Sequence, residues 1–471
     1  MRYTFLIGII LLSNIISAQN QSEKHVIFGS PYSSQVTQVC SDKNGNVYVS
    51  GEFSKSLLMG SNRFKDTWGG FIAKLNSENK LLWLNRADFQ VKGLKCENNT
   101  LYLIAQFSKH GVLCDEELEN GSNTFNSVVA AINTETGYPI WKNYLKSDQD
   151  VFSTDITLDN SGNIYFLGAY TGLLKVGDYQ LESTHSKSNY IGKIDNTGAI
   201  KWIKRISGGE DIITGVTSSA LAYIPAIDKI LVAGSFSGKA WFGNTVISSK
   251  RFESDYGYTY YQNEVFAAKF NPNGDFVDIN TLITEANLND VLVVDSILYL
   301  CGYFRGTIFK DFEPGISFFG KNLQLKSGVG AAGNLLETMY VAAFYKDSAL
   351  WAFAPSGINN SRMLSLSIDN ENNIYAGGFF YDQIDLPDGT RINASGKELS
   401  SNIFVSKFNK KGEILEHHSA DVKNTIKLFD LSFGNELVIG GQVTGKASIS
   451  NTGVESRGKH QNGYIYRFLV D

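Results

Sequence analysis

The sequence contains few of the residues that mark helical, metal-binding or nucleic-acid-binding proteins. It has 4 cysteines and 6 histidines, and neither set shows the close spacing of a zinc site. Lys and Arg total 42 against 47 Asp and Glu, so no basic excess is available for nucleic acid or an anionic membrane. Helical periodicity is nearly absent, and no apolar run beyond the N-terminal one is long enough to cross a bilayer. We therefore predict no nucleic-acid partner and no transmembrane segment.

The motifs of the common enzyme classes are also missing. The chain contains no Gly-x-Ser-x-Gly, no His-Glu-x-x-His and no phosphate-binding loop. The histidines are scattered over different repeats, and the neighbours His417 and His418 would point to opposite faces of a strand. We therefore predict no catalytic residue, no metal site and no cofactor.

The sequence does contain a repeat that recurs seven times. Its clearest copies span residues 42–53, 159–170 and 369–380. Each begins with Asp, reaches Asn four positions later, and continues with an apolar residue and Tyr. Every copy divides into four strand-like pieces, A to D, in which β-branched and aromatic residues dominate pieces B and C. Repeats of roughly 50–70 residues with several strands each are typical of propeller blades.

We predict an all-β fold, a seven-bladed β-propeller of four-stranded antiparallel blades. The last copy stops at piece C, and residues 24–30 supply a strand that would complete the last blade and close the ring. Residues 19–471 would form a single domain. The expected blades span about 36–87, 91–145, 151–206, 212–282, 289–356, 361–420 and 424–471 plus 24–30.

Three recurring residue types carry further predictions. A small residue after piece B suggests a β-bulge or a close backbone approach; it is Ala105 in the second copy and otherwise Gly51, Gly168, Gly234, Gly302, Gly378 and Gly441. A Lys in piece C, as in Lys74, Lys193, Lys269 and Lys407, is expected to face solvent. Trp83, Trp141 and Trp202 keep a fixed register that favours packing within or between blades over sugar stacking.

The N-terminal residues predict export. Residues 1–18 combine a basic start, a short apolar run and a small residue before a polar stretch, which indicates a signal peptide cleaved after Ala18. The mature chain would then reside in the periplasm, at the cell surface or outside the cell. Export permits disulfides, and Cys96 and Cys114 lie in one repeat and could pair. The alternative is four buried thiols.

The repeat resembles the secreted bacterial β-propeller repeat found in exported proteins of Bacteroidota. The resemblance rests on the Asp-x-x-Gly-Asn turn with its apolar-Tyr strand, a Phe-Gly-like segment at Trp241-Phe242-Gly243, the Ala-Lys strand and the following Trp. It covers essentially the whole mature chain. It implies an exported propeller and says little about activity.

We predict that the protein is a non-catalytic binding or scaffold module for a protein or glycan partner, and that it is a monomer. Two alternatives remain open: a carbohydrate-active lyase or hydrolase with its site at the axial depression, and a structural subunit of an envelope complex. The connections B–C and D–A vary most between copies, so their face is the expected binding face. Within the insert at 248–264, Tyr256, Tyr258, Tyr260 and Tyr261 are predicted contact residues, unless they pack on their own loop.

Overall fold

A computed structural model describes residues 24–59, 62–108, 110–119, 124–183, 187–209, 215–253, 259–305, 316–318, 321–325, 336–346, 348–394, 400–458 and 460–468. The predicted signal peptide, residues 1–18, lies outside these ranges. The described chain is almost entirely β-structure, with one short 3-10 turn at Pro225–Ile227. None of its helices is long and apolar enough to span a membrane.

The strand pairings define seven four-stranded antiparallel meanders in the described ranges, which we call blades 1 to 7. Strands A are Ser33–Ser41, Gln90–Glu97, Val151–Leu158, Gly215–Ile224, Ala286–Val294, Ser361–Ile368 and Thr425–Phe433. Strands B are Val47–Met59, Thr100–Ser108, Ile164–Tyr170, Lys229–Ser237, Ile297–Arg305, Ile374–Tyr381 and Leu437–Thr444. Strands C are Asn62–Leu75, Phe125–Asn133, Ser188–Ile194, Asn263–Phe270, Glu337–Tyr345, Ser401–Phe408 and Gln461–Phe468. Strands D are Leu81–Arg86, Pro139–Ser147, Ile200–Gly209, Phe276–Thr284, Ser348–Phe353 and Ile414–His418 in blades 1 to 6, and His25–Phe28 in blade 7.

The A strands lie innermost, around a common axis. Each contacts the A strand of the next blade in chain order, and that of blade 7 contacts that of blade 1. This is the arrangement of a β-propeller. The strand at His25–Phe28 pairs antiparallel with Gln461–Phe468, so the two ends of the described chain share one sheet. Phe28 is fully buried there and stacks on Phe71 of blade 1.

The B–C connections are more regular than the sequence suggested. In blades 2 to 7 each carries an additional hairpin, at His110–Glu119, Leu173–Glu182, Lys239–Ser248, Ile316–Leu325, Gln383–Asn393 and Lys446–Glu455. Each hairpin pairs with the outer strand of the preceding blade or with the chain just after it, as in Lys146↔Lys175 and Gly208↔Trp241. In blades 5 and 6 the hairpin of the next blade pairs with a short strand that follows strand D, Ser356–Gly357 or Ala420–Val422. The B–C segments therefore join neighbouring blades as well as forming one face.

The small residue after piece B faces a β-bulge, as predicted. In blade 5 the register of strand A shifts between Leu288 and Asp290, and Gly302 pairs with Leu288. A Cβ atom on Gly302 would lie 2.0 Å from the carbonyl oxygen of Asn287. The other recurring glycines meet a strand A carbonyl at similar distances, so the position is crowded, and the bulge of blade 2 faces nothing larger than the methyl group of Ala105.

Gly302→Ala should therefore lower the free energy of unfolding by about 2–3 kcal/mol, because the bulge must move to accommodate the methyl group. Gly453→Ala is the matched control, since nothing lies within 4 Å of its Cβ position. Urea denaturation of both variants measures the difference. Equal stability of the two variants would contradict the proposed crowding at Gly302.

The recurring Trp residues pack between blades. The Trp83 indole donates a hydrogen bond to the carbonyl of Thr134 in blade 2 at 3.0 Å, and its ring lies against Gly137. Trp202 and Trp351 make the same kind of bond to the C–D turns of the next blades, at Pro272 and Lys410. These tryptophans are interblade contacts, as their fixed register indicated.

The prediction that the Lys of piece C faces solvent is wrong. Lys74 is only 8% exposed and donates to the Thr134 carbonyl at 3.0 Å. Lys193 and Lys407 pair with the turn residues Asp159 and Asp369, and each ammonium lies over the Tyr ring of strand B. The remaining one, Lys269, is only partly exposed and pairs with Asp278. These lysines are held by local partners because the turn carboxylate and the Tyr ring both attract a cation.

The interpretation that Cys96 could pair with Cys114 is also wrong. Cys96 forms a disulfide with Cys40, and the two Cα atoms are 6.3 Å apart. Both cysteines lie near the ends of innermost strands, in blades 1 and 2. Cys114 and Cys301 are buried thiols. The pairing could not be predicted within one repeat, because it joins the A strands of two neighbouring blades, 56 residues apart in sequence.

Candidate functional site

A cleft of about 510 Å³ opens between blades 1 and 2, on the face that carries the B–C and D–A connections. We call it the blade 1–2 cleft. Strand C of blade 1 supplies Asp66 and Trp68, and the end of strand D with the following connection supplies Arg86 and Asp88. Blade 2 adds residues from the start of strand A, the end of strand B and the B–C hairpin. The volume is in the range typical of small-molecule sites.

Two adjacent glycines shape the floor of this cleft. A Cβ atom on Gly70 would lie 2.0 Å from the carbonyl oxygen of Ala87, so the D–A connection runs directly against the strand. The Ala87 amide donates to the Gly70 carbonyl at 3.0 Å, and the Gly70 amide donates to Asp88 at 3.3 Å. Gly69 takes the register position that Asn126 has in blade 2 and Asn402 in blade 6. The Trp68-Gly69-Gly70 sequence thus fixes the carboxylate of Asp88 beside the cleft.

Trp68 is the most exposed large apolar side chain in the cleft, at 42%. The nearby carboxylate of Glu52 accepts a hydrogen bond from the amide of Gln35 at 3.3 Å. Burial raises the pKa of Glu52, while Lys92, Gln35 and Trp68 act in the opposite direction. The indole of Trp68 therefore lies accessible beside a largely buried carboxyl.

Charged and amide side chains line the rest of the cleft. Arg86 forms ion pairs with Asp66 and, at 2.5 Å, with Asp88. The hydrogen bond to Asp88 is the main cause of the raised pKa of Arg86. Gln106 donates to Gln90 at 3.1 Å, which leaves the amide nitrogen of Gln90 and the oxygen of Gln106 for other partners. The arrangement offers planar hydrogen-bonding groups beside an aromatic ring.

The axial channel forms a second polar region, with a cavity of about 250 Å³. Asp155, Asp290 and Asp430 occupy the same position after the bulge in the A strands of blades 3, 5 and 7. Lys95 of blade 2 lies in the channel with them. Burial raises the pKa of Asp290 to about 7 and that of Asp430 to about 6. Burial would lower the pKa of Lys95, but the three carboxylates raise it.

Each axial carboxylate joins two blades. Asp155 accepts a hydrogen bond from the Leu221 amide of blade 4 at 2.8 Å. Asp290 and Asp430 accept equivalent bonds, also of 2.8 Å, from Leu366 of blade 6 and Val39 of blade 1. Each also accepts from the amide that follows it in its own strand. These aspartates are therefore engaged in holding the innermost strands together.

Only part of the predicted tyrosine site can be described. Tyr256 and Tyr258 lie outside the described residues. Tyr260 and Tyr261 are in a short strand, Thr259–Tyr261, that pairs with Arg251–Glu253, and Tyr261 is half-buried. This hairpin lies on the same face as the blade 1–2 cleft, but in blade 4. The role of the four tyrosines remains a prediction.

Two acidic residues lie next to this hairpin. Glu264 is 9% exposed and takes the register position that Asn402 and Asn462 have in blades 6 and 7. Glu285 follows strand D of blade 4, and its amide donates to the Asn263 carbonyl at 2.7 Å. Burial raises the pKa of each carboxyl to about 7, and the charge of Glu264 adds to the effect on Glu285.

These two pKa values predict a pH-dependent stability. The unfolded chain releases both protons near pH 4.3, so between about pH 4.5 and 7 the folded protein holds protons that the unfolded chain has lost. The stability that they contribute is present at pH 5 and is lost as the pH rises through 7. Each carboxyl contributes up to about 2.5 kcal/mol, so we expect the free energy of unfolding to fall by up to about 5 kcal/mol between pH 5 and pH 8.

The double variant Glu264→Gln, Glu285→Gln should reduce this pH dependence, measured by urea denaturation at several pH values. Glu78→Gln is the control at an exposed position. A double variant with the pH dependence of the unmodified protein would contradict the assignment to these two carboxyls.

The remaining candidate motifs take local structural roles. The Asp42 carboxylate accepts hydrogen bonds from the amides of Asn44 and Asn46 and from the Tyr48 hydroxyl, so the Asp-rich segment is a hairpin turn. His418 bonds to Glu416 and packs on Phe468. Within the described part of the chain, no three His, Cys, Asp or Glu side chains are grouped as in a metal site.

The chain matches no family model and no curated protein. Among solved structures, a puromycin-hydrolysing peptidase of Mycobacterium tuberculosis is 11% identical, with 93% of this chain and 55% of that chain covered and a TM-score of 0.39. Virginiamycin B lyase of Staphylococcus aureus is 9% identical, with coverages of 94% and 99% and a TM-score of 0.36. A xylan beta-1,4-xylosidase of Bacillus halodurans is 8% identical, with coverages of 93% and 96% and a TM-score of 0.31. At these TM-scores the similarities establish neither an activity nor a ligand.

The sequence predicted binding on the face that carries the B–C and D–A connections, but it did not indicate the blade 1–2 cleft. A signal was present in the sequence: Gly69 and Gly70 begin the buried part of strand C in blade 1, and blades 2, 6 and 7 have a buried Asn at the position of Gly69. The axial aspartates had a signal as well, since they recur at one register position in alternate blades.

Proposed function

We propose that the protein is an exported, non-catalytic binding module that takes its partner in the blade 1–2 cleft. In this proposal the seven blades form a closed ring, completed by the N-terminal strand. Export accords with the Cys40–Cys96 disulfide, because such bonds persist in oxidising compartments. The B–C hairpins give the binding face a rigid base, since each is anchored on the preceding blade.

The observation that carries the proposal is the accessible ring of Trp68 beside the Arg86 ion pairs and the Gln90–Gln106 amides. A rigid aromatic surface next to a few directional polar groups is the usual composition of a specific binding site.

The axial depression is a weaker candidate, and an enzyme there is not favoured. Its carboxylates accept backbone hydrogen bonds from two blades, so a proton transfer by Asp155, Asp290 or Asp430 would disturb the innermost strands. A general acid or base needs a carboxyl that is free to reach a substrate.

The test is a capture experiment. The mature protein is immobilised, and glycan and protein fractions from a cell envelope are passed over it. We expect Trp68→Ala to abolish capture and to leave the thermal unfolding curve unchanged. Tyr138→Ala is the control, because Tyr138 is 53% exposed on the opposite face. Loss of capture only in the triple variant Tyr258→Ser, Tyr260→Ser, Tyr261→Ser would move the site to blade 4. Capture that no variant on this face reduces would overturn the proposal.

A further inference from the structure

We propose that the blade 1–2 cleft binds an uncharged pyranose unit of a glycan, stacked on Trp68. The inference rests on the proposed binding function of this cleft and adds the class of ligand. Three features of the cleft support it: the aromatic surface, the free amide groups and the sign of the charge.

The aromatic surface suits a sugar ring. The C–H bonds on one face of a pyranose carry a small positive charge, which the electron-rich face of an indole attracts. Trp68 presents such a face at 42% exposure, where it lines the cleft. The residues that follow, Gly69 and Gly70, bring the backbone of strand C close to the D–A connection and leave the indole projecting into the cleft.

The amide groups suit hydroxyls. A sugar hydroxyl both donates and accepts, and the unused nitrogen of Gln90 and oxygen of Gln106 provide one partner of each kind. The carboxylates of Asp66 and Asp88 are oriented by Arg86 and retain further lone pairs for hydroxyl donors. Planar groups of this kind bind pairs of neighbouring hydroxyls and give direction to the contact with Trp68.

The charge of the cleft selects against acidic sugars. Its lining contains the carboxylates of Asp66, Asp88 and Glu117 but one guanidinium, Arg86, which is already paired. A uronate or sulfate group would meet these carboxylates, and the lining residues that the structure describes include no unpaired cation to neutralise it. An uncharged glycan avoids this repulsion.

The experiment is calorimetric titration of the full mature protein with soluble polysaccharides of known charge. The neutral set is mixed-linkage β-glucan, xylan and galactomannan, and the acidic set is polygalacturonate and alginate. We expect at least one neutral polysaccharide to bind and both acidic ones to fail. Trp68→Ala should weaken binding at least about 10-fold, and Trp68→Phe should retain part of the affinity because a smaller ring still stacks.

A charge variant tests the exclusion of acidic sugars separately from stacking on Trp68. Glu117→Gln removes one of the lining carboxylates and should improve binding of the acidic polysaccharides at low salt. Tyr138→Ala remains the control on the opposite face.

The contradicting outcomes are distinct. Tighter binding of polygalacturonate, binding of none of the five polysaccharides, or equal binding by Trp68→Ala would overturn the inference. If the envelope fractions still contain a protein whose capture needs Trp68, the proposed function stands and the ligand class is wrong. If nothing depends on Trp68, both fail.

Discussion

A chain that begins after Ser30 should lose more than about 5 kcal/mol of unfolding free energy and should aggregate. The deletion removes His25–Phe28, the outer strand of blade 7, and exposes the edge of Gln461–Phe468. It also removes Phe28, which is fully buried against Phe71. Loss of a buried Phe alone costs about 3–5 kcal/mol, and the unpaired strand adds to that loss. Urea denaturation and light scattering measure the two effects.

A synthetic peptide with residues 23–32 provides the control for this deletion. Added in excess, it should pair with Gln461–Phe468 and restore part of the lost stability, because the strand register is set by buried partners such as Phe28↔Gly463. A truncated protein that stays monomeric with an unchanged urea midpoint would show that the N-terminal strand does not complete the blade.

The double variant Cys40→Ser, Cys96→Ser should lose about 4 kcal/mol of unfolding free energy. The disulfide closes a loop of 56 residues, and in the chain-entropy account a loop of this length restricts the unfolded chain by that amount. Thermal unfolding with and without a reducing agent measures the effect. The reducing agent should destabilise the unmodified protein and have no effect on the double variant.

Cys114→Ala is the control for the pairing. Cys114 is a buried thiol in the same blade as Cys96. This variant should keep its full sensitivity to the reducing agent, although loss of the buried sulfur will lower its stability somewhat. If Cys114→Ala abolished the sensitivity and Cys40→Ser did not, the disulfide would join Cys96 to Cys114.

The blade pattern could be predicted because it depends on local sequence. Alternating apolar residues in strands B and C and the Asx turns, such as that of Asp159 with Asn163, repeat in each copy and need no long-range contact. The β-bulge could also be predicted, because a small residue that recurs at one position inside a strand indicates a bulge or a close backbone approach.

Contacts between blades could not be predicted from single copies. Cys40 meets Cys96, and Lys74 meets Thr134, only when two blades pack side by side. The same holds for Arg467, which takes the position of Lys74 in the last blade. Its guanidinium donates to the carbonyls of Gly45 and Asn76 in blade 1, across the junction of the chain ends.

The blade 1–2 cleft depends on such contacts as well. Sequence variation drew attention to the tyrosines of the insert at 248–264, whereas the cleft arises where Gly69 and Gly70 allow the chain at Ala87 to approach. A close approach between two backbone segments produces no periodic pattern in the sequence, so it could not be predicted. The ion pairs of Arg86 join strand D of blade 1 to strand C of the same blade and to the D–A connection, so they too become visible only in the fold.

A crystal structure of the mature protein with a bound neutral oligosaccharide would show where the sugar lies. We expect one pyranose ring stacked on Trp68, with hydroxyls within hydrogen-bonding distance of Gln90 and Gln106. A sugar bound instead at the axial mouth beside Lys95, or on the hairpin that contains Tyr261, would contradict this expectation.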